Sequence, residues 1–270
     1  NYFIRPGARH IAAVTANMDV QNRTKLIAKS QTVEFSSIVG IIKRTQSAVF
    51  GGLYAYSGAN TMYRKEALID VGGFRQDRAT EDISIAWDHQ LNDWVSVFAP
   101  GIIFFMEVPV TLKMLYRQRK RWAKGGTEVW LTNFKKVMLH PFKHIGRTII
   151  FIDQTLSIVW SIFFCISVVL FAGLIGHYVY QGNYEQIYIT FTFSFVFICF
   201  EMVAGFFQLL ASLIVDDRRR KLKYLLFAPL YMLLFWIVNA ITIVTTFIPA
   251  VKTILGYGSG TWKSPERTKK

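Results

Sequence analysis

Three long apolar stretches, residues 148–176, 187–215 and 225–255, constrain this chain more than any other feature. Each is longer than the about 20 residues a helix needs to cross a hydrocarbon core of roughly 30 Å. Segments in lipid must satisfy every backbone N–H and C=O internally, so residues 148–255 are predicted to be an all-helical transmembrane region. The charges flanking these stretches carry an orientation. Lys135, Lys136, Lys143 and Arg147 precede the first stretch, and Arg218, Arg219, Arg220, Lys221 and Lys223 follow the second. Positive residues gather at cytoplasmic ends and are drawn to anionic headgroups. The first and second stretches therefore pair as an exit and a return, with Tyr178 to Gln186 outside. The third is read as a kinked, re-entrant or interfacial element, because Pro229 and Pro249 sit in its two ends. A full crossing, the alternative, would place the basic tail (Lys263, Arg267, Lys269, Lys270) outside.

This geography also accounts for the net charge of +14, and it disfavours a nucleic-acid partner. The two cysteines, Cys165 and Cys199, both fall inside apolar stretches. They read as small packing residues, with neither a disulfide framework nor a metal cluster implied.

Residues 1–147 mix polar and apolar positions and are predicted to form an α/β layer lying on the membrane. His10 to Asn17 suits a buried strand. Thr24 to Ala48 has apolar residues at helical spacing (Leu26, Ile27, Val33, Ile38, Ile41, Ile42) and predicts a long helix. Tyr54 to Asn60 reads as a strand entering a turn, followed by an extended run at Thr61 to Arg64 and a short helix from Lys65 to Val71. Thr80 is placed to cap a helix through Leu91. Two extended runs follow, Val95 to Ala99 and Ile102 to Met106. Pro109 then leads into a helix through Trp122, which Gly125-Gly126 is expected to interrupt. The division by residue number is 1–110 for the α/β part, 111–147 for amphipathic interface helices, 148–255 for the membrane region and 256–270 for a cytoplasmic tail.

Two short motifs carry candidate chemistry. Thr80-Glu81-Asp82 places a carboxylate in the first turn of a helix, where the dipole and free N–H groups favour negative charge. On its own it reads first as a simple acidic cap. Gln118-Arg119-Lys120-Arg121-Trp122 puts an amide, a guanidinium and an indole on one helical face at i, i+3 and i+4. Amide and guanidinium suit a sugar or a diphosphate, and an indole suits the flat apolar face of a sugar ring. The bland reading is a basic amphipathic helix with Leu112, Leu115, Tyr116, Trp122 and Trp130 dipping into the bilayer interface. It leaves unexplained why Gln118 shares the face of Arg121 and Trp122.

Taken in this order and followed by membrane spans, the motifs resemble the TED and Q-x-x-R-W signatures of the processive family 2 glycosyltransferases. The resemblance extends to Ser57-Gly58-Ala59-Asn60-Thr61-Met62-Tyr63-Arg64, to Ala123-Lys124-Gly125-Gly126-Thr127-Glu128-Val129 and to Trp262-Lys263-Ser264-Pro265-Glu266-Arg267. It is strongest toward the branch polymerising β-1,6-linked N-acetylglucosamine. The resemblance implies a Rossmann-like GT-A nucleotide-sugar domain, here incomplete. It implies an inverting hexosyltransferase in the bacterial cell membrane, multi-pass with its catalytic side cytoplasmic, making an exported biofilm polysaccharide. Asp82 would be the general base. Glu81, Gln118, Arg121 and Trp122 would bind substrate, and the tail around Trp262 and Arg267 would gate the donor site. The implied partners are a UDP-sugar donor (UDP-N-acetylglucosamine), a growing polysaccharide acceptor and the lipid bilayer, with room for a small membrane subunit.

One departure qualifies this. Family members hold Mg²⁺ or Mn²⁺ through a D-x-D motif, and no D-x-D occurs in this sequence. The cofactor ligands are therefore absent from this chain, which is expected to be a C-terminal fragment, inactive alone. A hyaluronan-, chitin- or cellulose-type transferase, a lipid-directed one, and a non-catalytic membrane scaffold stay open beside the first reading. Asp216-Asp217 is adjacent rather than spaced and is expected in a solvated loop. His140 and His144 lack a third ligand and read as interface residues. Glu201, Gln154 and Gln208, polar residues within the spans, read equally as lining for a polymer path or as partners of neighbouring helices.

Overall fold

The computed structural model describes residues 2–216 and 220–257. The expected gating residues Trp262 and Arg267, and Asp217, lie outside them. The N-terminal half is built on a small mixed sheet ordered β2-β1-β3. Its central strand β1 (Ile11–Val20) is buried along almost its whole length, and it pairs antiparallel with β2 (Thr61–Tyr63) and parallel with β3 (Val95–Met106). A parallel pair needs a crossover, supplied here by the helices between β1 and β3. The register slips between Ala16 and Asn17, whose partners are Ala99 and Ile103. Pro100-Gly101 fills the slip, and it is also the gap between the two extended runs expected from sequence. Proline lacks the ladder N–H, so it is tolerated at such an irregularity.

The long helix expected from Thr24 is one helical run in three parts: α1 (Leu26–Phe35), a π-helical stretch (Ser36–Ile42) and α2 (Lys43–Val49). The short α3 (Lys65–Asp70) and α4 (Glu81–Leu91) follow. Together they enclose a core containing Ala12, Val20, Leu53, Tyr56, Ile85 and Phe98.

Three local expectations are corrected. The strand expected over Tyr54 to Asn60 is an irregular loop. Side chains satisfy its backbone in place of a neighbouring strand: Gln90 accepts from the Leu53 N–H and donates to the Leu53 carbonyl, and Gln46 accepts from the Tyr54 N–H. A backbone so paired has no need of a ladder. Gly125-Gly126 does not interrupt its helix, since α5 runs unbroken from Leu112–Met138. Finally, Leu115 does not dip into an interface. It is fully buried among Val33, Leu209, Leu213, Tyr231 and Phe235.

Three further helices complete the fold: α6 (Ile145–Gln181), α7 (Tyr184–Asp216) and α8 (Ala228–Ile254), the last preceded by a 3-10 turn (Leu222–Phe227). By length and composition, α6, α7 and the stretch Leu222–Ile254 can each cross a membrane, which marks a membrane protein. Large apolar side chains such as Phe163, Val169, Phe193 and Phe200 are exposed on α6 and α7, as lipid-facing surface requires. α8 is one helix through Pro249, with Pro229 in its first turn, where a missing N–H costs nothing.

Besides the Leu115 cluster, two further contacts fasten the α/β layer to these helices. The first turns of α6 bury Ile150 and Phe151 against Trp87 of α4, with the Trp87 and Phe151 rings edge to face at 5.2 Å. At the other place the structure overturns the solvated-loop expectation for Asp216. Its side chain is fully buried. It accepts from Asn17 Nδ2 at 3.0 Å and pairs with Lys221 Nζ at 2.6 Å, and Lys221 also reaches Asp19 at 3.2 Å. A Cβ at Gly40 would lie 2.4 Å from the Asp216 carboxylate. Glycine in the π-helical stretch is what lets the end of α7 come this close.

Candidate active site

Thr80 has extended backbone angles (φ −137°, ψ 103°) and Glu81 begins α4, so Thr80 occupies the cap position as expected. Its hydroxyl, however, makes no capping bond. Residues of α5 hold this turn instead. Glu128 accepts the Ala79 N–H at 2.9 Å. A Cβ at Gly125 would stand 2.0 Å from Thr80 Oγ1, and one at Gly126 would stand 2.6 Å from the Tyr54 hydroxyl. The paired glycines are thus a seat on α5 into which the turn before Asp82 fits.

Asp82 is half-buried in the first turn of α4. Its Oδ2 accepts from the Gly58 N–H at 3.2 Å and its Oδ1 from the Ile83 N–H at 3.0 Å. Burial holds the carboxyl above the usual carboxylate range and Glu81 adds to the effect, while Lys43, the Gly58 N–H and Arg121 pull it down. Lys43, buried in α2, donates to Ser57 Oγ at 2.6 Å. Burial lowers its ammonium pKa to about 8, against the opposing attraction of Asp82. Tyr54 and Tyr63 are pushed upward, first by burial and then by the charge of Asp82. A carboxylate poised in this way, with a cation behind it and a backbone N–H on each oxygen, has the character of a general base.

The second motif lies on the stretch of α5 just before this seat. Arg121 feels Asp82 and Glu81: burial lowers its pKa while both carboxylates raise it, so the two motifs share one electrostatic field. Gln118 is half-buried, and its Oε1 has no hydrogen-bond partner among the described residues. Trp122 packs partly against the core of the α/β layer. Glu81 is exposed at the rim. Beside them opens a cleft of about 220 Å³, lined by Arg117, Lys120, Arg121 and Lys124 of α5, Ala79, and Thr246 and Pro249 of α8. Most of its exposed lining is apolar, but four of the lining residues are cationic, which suits an anionic ligand such as a diphosphate at its edge.

Sequence reasoning missed four contributors. Lys43 and Glu128 are described above. The other two are Arg119, inside the second motif, and Glu34 of α1, which pair at 2.6 Å with both side chains buried. The guanidinium of Arg119 stands over the Trp122 ring at 4.4 Å from its centroid. The only local hints are that Glu34 stands between Val33 and Phe35 and that Lys43 follows Ile41-Ile42. Of the other candidates, His144 turns to Asp93 at 2.7 Å. Glu201 is half-buried and Gln208 exposed.

The donor set for a metal is not present here. Among the described residues no three His, Cys, Asp or Glu side chains group closely enough to hold an ion. Glu81 and Asp82, adjacent on one helix, do not make such a set.

A family model described as glycosyl transferase family group 2 matches residues 1–255. The poly-beta-1,6-N-acetyl-D-glucosamine synthase of Staphylococcus epidermidis is 34% identical over 261 residues, covering 95% of this chain and 61% of that protein. The protein of the same name from Staphylococcus aureus (strain COL) is 32% identical over 271 residues, covering 98% of this chain and 64% of its own length. The chain therefore spans a little under two thirds of each relative.

Proposed function

The chain belongs to glycosyl transferase family group 2, and from that premise we propose that it forms the acceptor-side part of a membrane-bound, processive β-glycosyltransferase. The donor is UDP-N-acetylglucosamine and the product a β-1,6-linked N-acetylglucosamine polymer passed outward across the membrane. The donor sugar and linkage rest on the names of the relatives. The chemistry rests on the site.

The observation that carries this reading is the seating of the Thr80-Glu81-Asp82 turn on the Gly125-Gly126 face of α5. It brings a poised carboxylate and the Arg121 guanidinium into one field. In the transfer, Asp82 takes the proton from the acceptor hydroxyl as that oxygen attacks the anomeric carbon. The bond from that carbon to the diphosphate breaks, and UDP departs with the electron pair. Attack from the face opposite the leaving group inverts the configuration. Arg121 and the neighbouring cations of α5 meet the charge that develops on the diphosphate. Trp122 offers its ring to the acceptor sugar, and Gln118 its unpartnered carbonyl to a sugar hydroxyl. Family 2 transferases commonly use a divalent ion, whose ligands the described residues do not supply.

The charge pattern supports a cytoplasmic catalytic side. Lys135, Lys136 and Arg147 lie near the start of α6, and Arg220, Lys221 and Lys223 follow α7. Both groups adjoin the α/β layer, and the Gly182-Asn183 turn between α6 and α7 lies at the far end.

The test is UDP release by the enzyme carrying this chain, in native membranes, with UDP-N-acetylglucosamine and a β-1,6-linked oligosaccharide. Trp122→Ala should raise the oligosaccharide KM about tenfold or more, as loss of a stacking ring does, and leave the donor KM nearly unchanged. Equal effects on both, or release that ignores the oligosaccharide, would refute the acceptor assignment.

A further inference from the structure

Trp122 does not rest on its own helix alone. One face of its ring is covered by the guanidinium of Arg119, 4.4 Å from the ring centroid. That face is closed to a sugar. Arg119 is in turn fixed by Glu34, 85 positions away on α1, through a 2.6 Å charged hydrogen bond. Its guanidinium also stands 5.8 Å from the Phe235 ring of α8. Three elements thus meet behind one indole: α1 of the transferase layer, α5 of the site and α8 of the membrane region.

A buried ion pair is a poor explanation for stability, because desolvation offsets most of the Coulomb gain. This pair is also incompletely satisfied: Glu34 Oε1 and Arg119 Nε have no hydrogen-bond partner among the described residues. What it supplies is orientation. The guanidinium is planar and rigid, so a flat cation held against one ring face fixes the plane of the other.

We propose that Glu34 and Arg119 are positioning residues that set the plane of Trp122 for acceptor-sugar stacking and tie that plane to membrane helix α8. The proposal rests on the acceptor role given to Trp122 above. Without the pair, the indole samples other rotamers and must be immobilised when the sugar binds. That cost falls on acceptor affinity and spares the donor.

The experiment measures binding of a β-1,6-linked N-acetylglucosamine pentasaccharide, and separately of UDP-N-acetylglucosamine, by calorimetry on the nanodisc-embedded enzyme. The double variant Glu34→Gln/Arg119→Met removes both charges together and leaves no buried ion unpaired. Arg119→Lys keeps the ion pair but loses the flat cation, and it decides the matter even where the double variant does not fold. Each should bind the pentasaccharide about three- to tenfold more weakly, the cost of immobilising one side chain, with donor affinity held. In a Trp122→Ala background the same changes should have almost no further effect, since coupled residues are not additive. Unchanged pentasaccharide affinity in a folded variant, equal loss of donor affinity, or additive losses with Trp122→Ala would each overturn the proposal. A wild-type enzyme that binds donor but no pentasaccharide would instead overturn the acceptor reading, and the proposal with it.

Discussion

Replacing Lys43 by methionine should leave the protein at least as stable at pH 7 and impair its chemistry at the same time. In the fold, burial lowers the Lys43 pKa from 10.5 to about 8. At pH 7 the ammonium is charged in both states, and a shift of this size corresponds to about 3 kcal/mol of destabilisation. The sign follows from proton binding. Between the two pKa values the unfolded state holds the proton more tightly, so stability rises with pH. From pH 7 to 9.5 the wild-type protein should gain about 2 kcal/mol from this group, and Lys43→Met should lose that dependence. At pH 7 the variant recovers the burial cost but gives up the charged hydrogen bond to Ser57, worth about 1.5–3 kcal/mol. The net is a neutral to modest gain.

The chemistry moves in the opposite direction. Lys43 is the foremost of the influences that lower the Asp82 pKa. Without it the carboxyl titrates higher still, and the acidic limb of the pH–rate profile shifts toward neutral pH. Thermal unfolding in detergent at pH 7 and 9.5, with UDP release followed from pH 5 to 9, reads both effects. A variant markedly less stable at pH 7, or one whose acidic limb stays in place, would refute the reasoning.

Two other perturbations follow from packing. Gly125→Ala drives a methyl to within 2.0 Å of Thr80 Oγ1. It should cost about 1–3 kcal/mol in melting experiments, and transfer activity should fall further than that loss explains. Asp216→Ala leaves the buried Lys221 with Asp19 alone. It should destabilise the protein by about 3 kcal/mol in thermal unfolding and raise protease access at Lys221.

Much of this molecule could be read from periodicity and turn chemistry. The apolar stretches became long helices because nothing else satisfies a backbone in lipid. His10 to Asn17, Lys65 to Val71 and the helix after Thr80 followed equally local rules. The errors lie where tertiary contacts overrode such rules. Gln46 and Gln90 satisfied the Tyr54 loop from a distance, so β-propensity there counted for little. Gly125-Gly126 reads as a helix breaker in isolation and proves to be a packing seat. Asp216 looked solvated because its partner Asn17 lies 199 positions away in sequence. The site itself was half legible. Asp82, Gln118, Arg121 and Trp122 stood out as motifs, whereas Lys43, Glu34 and Arg119 take their roles from contacts that no short motif records.

The central claim is that the carboxylate seated on α5 removes the proton from the acceptor hydroxyl. Incorporation of radiolabelled N-acetylglucosamine into polymer by membranes carrying the Asp82→Asn enzyme tests it most directly, with donor binding measured on the same membranes. The amide keeps the shape and the Gly58 contact but cannot accept the proton. Incorporation should fall by about 10² or more, the scale of general-base catalysis, with the protein inserted and the donor still bound. Polymer made at near wild-type rate by that variant would contradict it.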